Sequence, residues 1–244
     1  MEKPWILIIS AGSDIAMKTA ERFVALGNNL YLAAHHPEEI QSFADNLTLR
    51  YHVKITVLPF DIVKTQSHDA FLSSLPVVPK GILIATGYAG EQEYSENNMK
   101  EVEHIINVNF IGCIFFLEIC VKYFEGKKAF IVAISSVAGE RGRRSNYIYG
   151  ASKAGLTAYL SGLRVRLRPK GIEVITIIPG IVRTKMSAGK VFPQFLAATP
   201  EKVAIDIEKA IRQRTPVIYT PWWWRFVMFS IKLIPERIFM RINW

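Results

Sequence analysis

Cysteine is nearly absent. Cys113 and Cys120 are the only two in 244 residues, too few for a disulfide framework. Both fall in one predicted helix, where seven residues of rise set their Cα atoms roughly 10 Å apart, beyond disulfide reach. They are expected as core thiols in a reducing compartment. Charge is also sparse, at 21% of residues against the usual quarter, which argues against a disordered chain and for extra apolar surface. No uncharged apolar run reaches the ~18 residues of a bilayer span. The run Trp5–Ala11 has no basic lead-in and meets Asp14 at once, so it is expected as a strand rather than a signal peptide. Repeats and low-complexity tracts are missing, and no metal-ligand set is expected. The net charge is +9, but outside Arg141, Arg143 and Arg144 the basic residues are scattered. With no nucleic-acid motif beside them, nucleic acid is not an expected partner.

What is present is an alternation. Dense apolar runs at Trp5–Ile9, Leu30–Ala34, Ile55–Phe60, Gly81–Ala85, Ala129–Ile134 and Gly171–Ile178 read as strands buried on both faces. Between them the pattern predicts helices over 15–26, 37–51, 99–124 and 149–168. This order predicts an α/β fold: a doubly wound parallel sheet in a three-layer α/β/α arrangement, with ligands at the carboxyl ends of the strands. After Pro179 the pattern weakens. Residues 183–200 are expected as a loop or small lid, 200–214 as a helix with Pro200 at its first position behind a Thr199 cap, and 217–219 as an edge strand. Phe192 and Phe195 in the lid suit an apolar cover or plain core packing. The domain is expected over 1–220, followed by an aromatic, basic, amphipathic tail over 221–244.

The first strand–helix turn, Ser10-Ala11-Gly12-Ser13-Asp14-Ile15-Ala16, holds a single glycine. Alone it supports two readings: a phosphate cradle built from Ser13 and backbone amides, or a turn capped by Ser or Asp. Tyr149 and Lys153 are sharper. Residues four apart share a helix face, so the ammonium is expected to approach the phenol and lower its pKa, giving a proton donor and acceptor. Spacing alone is weak, since a chain with 9 tyrosines yields roughly 0.6 such pairs by chance. A second pair, Tyr123 and Lys127, is expected to be an ordinary exposed helix end. Context separates them. Ser136 stands at a strand end thirteen residues before Tyr149, where its hydroxyl can hold a substrate oxygen. Phe110 takes the equivalent place before Tyr123. Asn109, inside the apolar helix, is either a satisfied core amide or part of a proton relay.

Taken together, Asn107-Val108-Asn109-Phe110-Ile111-Gly112, Ile134-Ser135-Ser136-Val137-Ala138-Gly139, Tyr149 with Lys153, and Ile178-Pro179-Gly180-Ile181-Val182-Arg183-Thr184 resemble the short-chain dehydrogenase/reductase family over about 4–220. The resemblance implies a Rossmann-like fold and an NAD(P)(H)-dependent oxidoreductase interconverting a ketone and a secondary alcohol. It assigns catalysis to Asn109, Ser136, Tyr149 and Lys153, with Asn109 holding a relay water. It assigns cofactor binding to Ser10, Gly12, Ser13, Asp14, Ile15, His35, Asp61, Ile62, Ala85, Thr86, Gly87, Tyr149, Lys153, Pro179, Gly180, Val182 and Thr184. Asp61 would meet the adenine amino group, with a helix cap as its alternative. The family's three turn glycines are replaced by Ser10, Asp14 and Ala16, and its Asn-Asn-Ala-Gly segment reads Ile84-Ala85-Thr86-Gly87. Similarly altered turns resemble those of reductases acting on a decaprenyl-phosphate-linked ketosugar.

No acid ends the second strand, and His35 stands where NADP-using members often carry Arg, so NADP(H) is favoured over NAD(H) and the reductive direction is expected. The expected partner is a small carbonyl or alcohol, on a lipid-linked sugar or else on a soluble sugar, steroid or acyl group. A non-catalytic nucleotide sensor or scaffold is the remaining alternative. The resemblance also implies a homo-oligomer through the helices at 99–124 and 149–168. The chain is expected in the cytoplasm. Its tail holds Trp222, Trp223, Trp224, Trp244, Phe226, Phe229 and Phe239 with Arg225, Lys232, Arg237 and Arg241. It supports either a peripheral contact on the inner face of a membrane or an aromatic clamp on its own domain or a partner.

Overall fold

The computed structural model describes residues 3–189 and 196–242. Phe192, Phe195 and Trp244 lie outside them. Seven strands form one wholly parallel sheet, β1 (Trp5–Ile9), β2 (Asn29–Ala34), β3 (Ile55–Pro59), β4 (Gly81–Ile84), β5 (Ala129–Ile134), β6 (Ile172–Pro179) and β7 (Val217–Thr220), in the order β3-β2-β1-β4-β5-β6-β7. The middle strands β1, β2 and β4 are buried at every residue, which is why they read as unbroken apolar runs rather than alternating ones. The edge strands β3 and β7 are partly exposed and more polar. The order reverses between β1 and β4, and the crevice of such a sheet opens at the carboxyl ends of the strands beside that point.

The helices are α1 (Asp14–Ala25), α2 (Gln41–Tyr51), α3 (His68–Ser73), α4 (Gln92–Glu96), α5 (Met99–Ile106), α6 (Gly112–Tyr123), α7 (Tyr147–Leu167), α8 (Pro200–Gln213), α9 (Trp224–Leu233) and α10 (Glu236–Phe239). One core cluster packs α6 and α7 on one face of the sheet, and a second packs α1, α2 and α8 on the other. In α7, Leu156, Leu160, Leu163 and Leu167 recur on a single stripe and are buried, each contributing about 1.5–3 kcal/mol. Cys113 and Cys120 of α6 are free and buried, and burial pushes the Cys113 thiol up to about 11.

Three expectations needed revision. The helix predicted at 99–124 is interrupted by a π turn, Asn107–Ile111, joining α5 to α6. As a whole, Met99–Tyr123 is long and apolar enough to cross a bilayer, but Cys113, Phe116, Leu117 and Cys120 are fully buried against the sheet. The short helices α3 and α4 lack the length for a readable period. The catalytic helix begins at Tyr147 rather than Tyr149, without a side-chain cap from Asn146.

The tail packs in part on its own domain. Trp224, Met228, Ile231 and Phe239 form a third cluster with Val137 and Ile178. The Arg141 guanidinium clamps it, donating to the carbonyls of Ile231 at 2.5 Å and Ile234 at 2.7 Å and to Glu236 at 2.9 Å. It also stacks 3.8 Å over the Phe239 ring. Those bonds satisfy carbonyls at the C-terminal end of α9, where a cation also meets the negative end of the helix dipole. Trp222, Phe226, Phe229 and Leu233 on the opposite face are exposed.

Candidate active site

A cavity of about 520 Å³ opens at the carboxyl edge of the sheet. Of the four residues expected to be catalytic, Ser136, Tyr149 and Lys153 line it; Asn109 does not. Two glycines explain how the pieces meet. A side chain on Gly139 would sit 2.7 Å from the backbone nitrogen of Ala154, and one on Gly150 would sit 2.7 Å from the carbonyl of Ala138. The turn Val137–Gly139 therefore lies directly on the first turns of α7. Ser136 caps that turn, accepting from the Ala138 amide at 3.1 Å. Ser135 fastens β5 to the same helix through the carbonyl of Lys153 at 3.1 Å.

Lys153 is 1% exposed. Its ammonium donates to the carbonyls of Thr86 at 2.9 Å and Ile134 at 3.0 Å, the ends of the neighbouring strands β4 and β5. Burial lowers its pKa to about 8. Tyr149 is half-buried on the cavity wall, and burial pushes its hydroxyl up to about 12, with the nearby Ser136 hydroxyl offsetting part of the rise. This corrects the expectation that Lys153 depresses the phenol. The ammonium sits 5.9 Å from the ring centroid and is turned to the carbonyls, so desolvation dominates.

Asn109 is also corrected. Its side chain is fully buried, accepting from the Tyr88 amide at 2.8 Å and donating to the Tyr88 carbonyl at 2.7 Å. The carboxamide is a satisfied core group that pins the segment after β4. One lone pair and one N–H of the carboxamide remain, but the side chain does not line the cavity.

The first turn is compatible with a dinucleotide despite its missing glycines. Ser10 adopts φ 58°, the left-handed region that glycine enters freely. Its hydroxyl bonds Thr86 Oγ1 at 2.8 Å, joining the two departures from the family pattern. Ser10 itself does not line the cavity. Gly12, Ser13, Asp14 and Ile15 do, and the amides of Gly12, Asp14 and Ile15 have no backbone partner among the described residues. Unpaired donors at a helix N-terminus suit a phosphate. The Ser13 hydroxyl is used differently, capping α1 through the Ala16 amide at 3.3 Å. Asp14 accepts from the Lys185 amide at 2.7 Å, tying the turn to the loop after β6. Ala85, Thr86, Gly87, Pro179, Gly180, Val182 and Thr184 all line the same cavity. Gly87 lies against the Lys153 ammonium, 3.7 Å from where a Cβ would stand.

His35 and Asp61 lie apart, in a smaller cavity of about 370 Å³ at the ends of β2 and β3. The His35 Nε2 is 3.7 Å from Asp61, and its Nδ1 is 3.0 Å from His36. The other Asp61 oxygen accepts from the Val63 amide at 3.0 Å, so the turn-capping alternative accounts for half of that side chain. Ile62 is corrected: its side chain turns into the core and lines neither cavity. Sequence reasoning missed Gln92, Arg143, Asn146 and Trp224, which line the central cavity, and Lys64 beside Asp61 at 4.0 Å. Trp224 reaches it because Gly180 has no side chain; a Cβ there would strike the indole at 2.0 Å. Arg143 and Trp224 stood out in the sequence as members of basic and aromatic clusters, with nothing to connect them to the site.

The model of the short chain dehydrogenase family matches residues 4–192. The chain belongs to that family. It is similar, at 31% identity over 97% of this chain and 95% of the other, to an uncharacterised oxidoreductase of Streptomyces coelicolor. In fold it resembles a short-chain dehydrogenase from Sphingobium yanoikuyae in complex with NADPH, with a TM-score of 0.83, 23% identity and coverage of 96% and 97% of the two chains. It also resembles a 3-oxoacyl-[acyl-carrier protein] reductase from Brucella melitensis in complex with NAD, with a TM-score of 0.77, 22% identity and coverage of 90% and 96%. As a short-chain dehydrogenase the protein is an NAD(P)-dependent oxidoreductase acting on the ketone and alcohol pair.

Proposed function

We propose that this short-chain dehydrogenase reduces a ketone to a secondary alcohol, with NADPH as reductant and Tyr149 as the proton donor. The observation that carries the proposal is the single cavity onto which Ser136, Tyr149, Lys153 and the N-terminal turn of α1 all open. A bound nicotinamide supplies the hydride. Ser136 holds the carbonyl oxygen beside the phenol. Tyr149, kept protonated by burial, gives its proton to that oxygen as negative charge develops on it. Lys153 holds the nicotinamide ribose, with its ammonium anchored on the Thr86 and Ile134 carbonyls. The amides of Gly12, Asp14 and Ile15 take the phosphates, and Ala85, Gly87, Pro179, Gly180, Val182 and Thr184 border the rest of the cofactor. Asn109 acts at one remove, by fixing Tyr88.

His35 and Lys64 beside Asp61 favour NADPH, since a lysine and an imidazole with ring nitrogens that can donate stand where a 2′-phosphate would arrive and Asp61 is left for the adenine. Titrating the protein with each nicotinamide against its tryptophan fluorescence tests this. Stronger quenching by NADPH than by NADH, with the preference lost in His35→Ala, is expected. Equal affinity in the native protein overturns it, and binding of neither would revive the scaffold alternative.

The tail favours a membrane-borne substrate. α9 turns Trp224 into the cavity and Trp222, Phe226, Phe229 and Leu233 to solvent, with Arg225, Arg237 and Arg241 exposed around them. An aromatic face ringed by cations suits the interface of an anionic bilayer, and a ketone carried on a lipid, such as a lipid-linked sugar, would then enter beside Trp224. The full-length protein should pellet with phosphatidylglycerol vesicles, and Phe226→Ser with Phe229→Ser should leave it in the supernatant. Failure of the native protein to pellet refutes membrane docking. A dimer broken by the same changes would assign the face to a second copy.

A further inference from the structure

Arg143 lies on the segment between Val137–Gly139 and α7, six residues before Tyr149, and lines the catalytic cavity. It lines neither the smaller cavity beside Asp61 nor the groove beside Lys18 and Arg183. Its Nε is buried without a partner. Among the described residues, no hydrogen bond or ion pair reaches its side chain.

The other enclosed arginines behave differently. Arg141 makes three hydrogen bonds to the tail. Arg164 donates to the Val174 carbonyl at 2.8 Å and to Thr176 at 2.7 Å. The nearest acid in sequence, Glu140, is engaged by Lys232 at 2.8 Å and by the Tyr219 hydroxyl. Burial alone lowers the Arg143 pKa, with no carboxylate acting against it, and a guanidinium remains charged at neutral pH even so. Asn146, on the same wall, also has a buried oxygen without a partner.

The buried Nε is left without a partner while the residue as a whole is half-buried on the cavity wall, so a ligand there would complete a donor that is otherwise unmet. The cavity's charge points the same way. Its described lining holds Arg143, Lys153 and Lys185 against one acid, Asp14, whose Oδ2 already accepts from the Lys185 amide.

We infer that Arg143 is the anchor for an oxyanion on the substrate, so that the ketone this enzyme selects carries a carboxylate or a phosphate. This rests on the ketoreductase proposal and deepens it by naming the substrate class. A planar fork of donors matches both oxyanions, and the charge-assisted pair is strong where water is partly excluded. Arg143 touches the non-reacting end of the substrate and sets its orientation at Ser136 and Tyr149, which makes it a specificity residue.

Two matched pairs test the inference with the NADPH-loaded enzyme: 3-oxobutanoate against its methyl ester, and dihydroxyacetone phosphate against dihydroxyacetone. The native enzyme should prefer the anionic member of at least one pair, and which pair it is tells carboxylate from phosphate. In Arg143→Met the ratio of kcat/KM between anionic and neutral members should fall about 10–100-fold, through KM more than kcat. Arg143→Lys should retain part of the ratio. An unchanged ratio in Arg143→Met overturns the inference. Should the native enzyme reduce none of the four, calorimetric binding of the same compounds decides the anchor separately from the ketoreductase proposal. Anion binding lost in Arg143→Met supports it. Equal binding by both proteins, or no binding by either, overturns it.

Discussion

Tyr123 and Tyr149 are each followed four residues later by a lysine, and the fold treats them in opposite ways. Tyr149 lies in the first turn of α7, whose start lies at the carboxyl edge of the sheet. Its lysine is buried between the ends of β4 and β5. Tyr123 closes α6, at the other end of a helix that runs back along the sheet. Its hydroxyl reaches Asp69 at 3.3 Å, and Lys127 is exposed and folds back on the Tyr123 carbonyl at 3.2 Å. In a doubly wound sheet, helix starts gather at the ligand edge and helix ends at the opposite edge. The spacing of a pair puts both side chains on one helix face. Its place at a helix start or a helix end decides what that face meets.

The strongest way to break this comparison is to exchange the hydroxyls. Tyr149→Phe should lower kcat for ketone reduction about 10²–10⁴-fold, and Tyr123→Phe should leave it within about twofold. Steady-state NADPH oxidation measures both. Comparable losses in the two variants would mean that position at the ligand edge is not what matters.

Next in size is the pH response of the lysines. Lys153 falls from 10.5 to about 8 on folding, so reduction should be flat at neutral pH and decline above about 8 as the ammonium is lost. The same shift sets the sign for stability. Between about 8 and 10.5 Lys153 binds more protons in the unfolded chain than in the folded one, so its own contribution to stability should rise with pH across that window, opposed above about 9 by Cys113, which burial raises to about 11. Lys153→Met should abolish both trends, whereas Lys127→Met should preserve them. Denaturant melts and rate profiles at stepped pH values read the two effects.

Much of the fold was legible because two-sided burial leaves an unmistakable trace. The middle strands are unbroken apolar runs, and the Ser136, Tyr149 and Lys153 set sits on elements with clear periods. The rest depended on contacts between distant segments. Asn109 is spent on Tyr88, 21 residues away, and no local pattern announces that. Arg141 holds carbonyls 90 and 93 residues further on, so the tail's inner face could not be told from its outer one by composition. In the sequence Ser10 stands simply as a missing glycine. Only its left-handed φ and its bond to Thr86 explain how a serine occupies that place, and why both departures from the family pattern belong together.

Two smaller predictions extend the comparison to parts of the chain remote in sequence. Arg141→Ala removes three hydrogen bonds to the tail and should destabilise the protein by about 1–3 kcal/mol, with earlier proteolysis of residues after 221. Ser10→Ala keeps the strained φ and loses the bond to Thr86, and should cost about 1–2 kcal/mol, while Ser10→Gly relieves the strain and should lie within about 0.5 kcal/mol of the native protein. Thermal melts order the two, and an alanine as stable as the glycine would remove the strain from the account.

The most direct test of the central claim is a single-turnover measurement. Native protein and Tyr149→Phe are each loaded with NADPH and mixed with a saturating ketone, and hydride transfer is followed by loss of nicotinamide fluorescence. The account predicts a fast decay in the native enzyme and one slowed at least about a hundredfold in the variant, with NADPH bound equally well by both. Equal decay rates would contradict it, because the proton would then come from some group other than Tyr149.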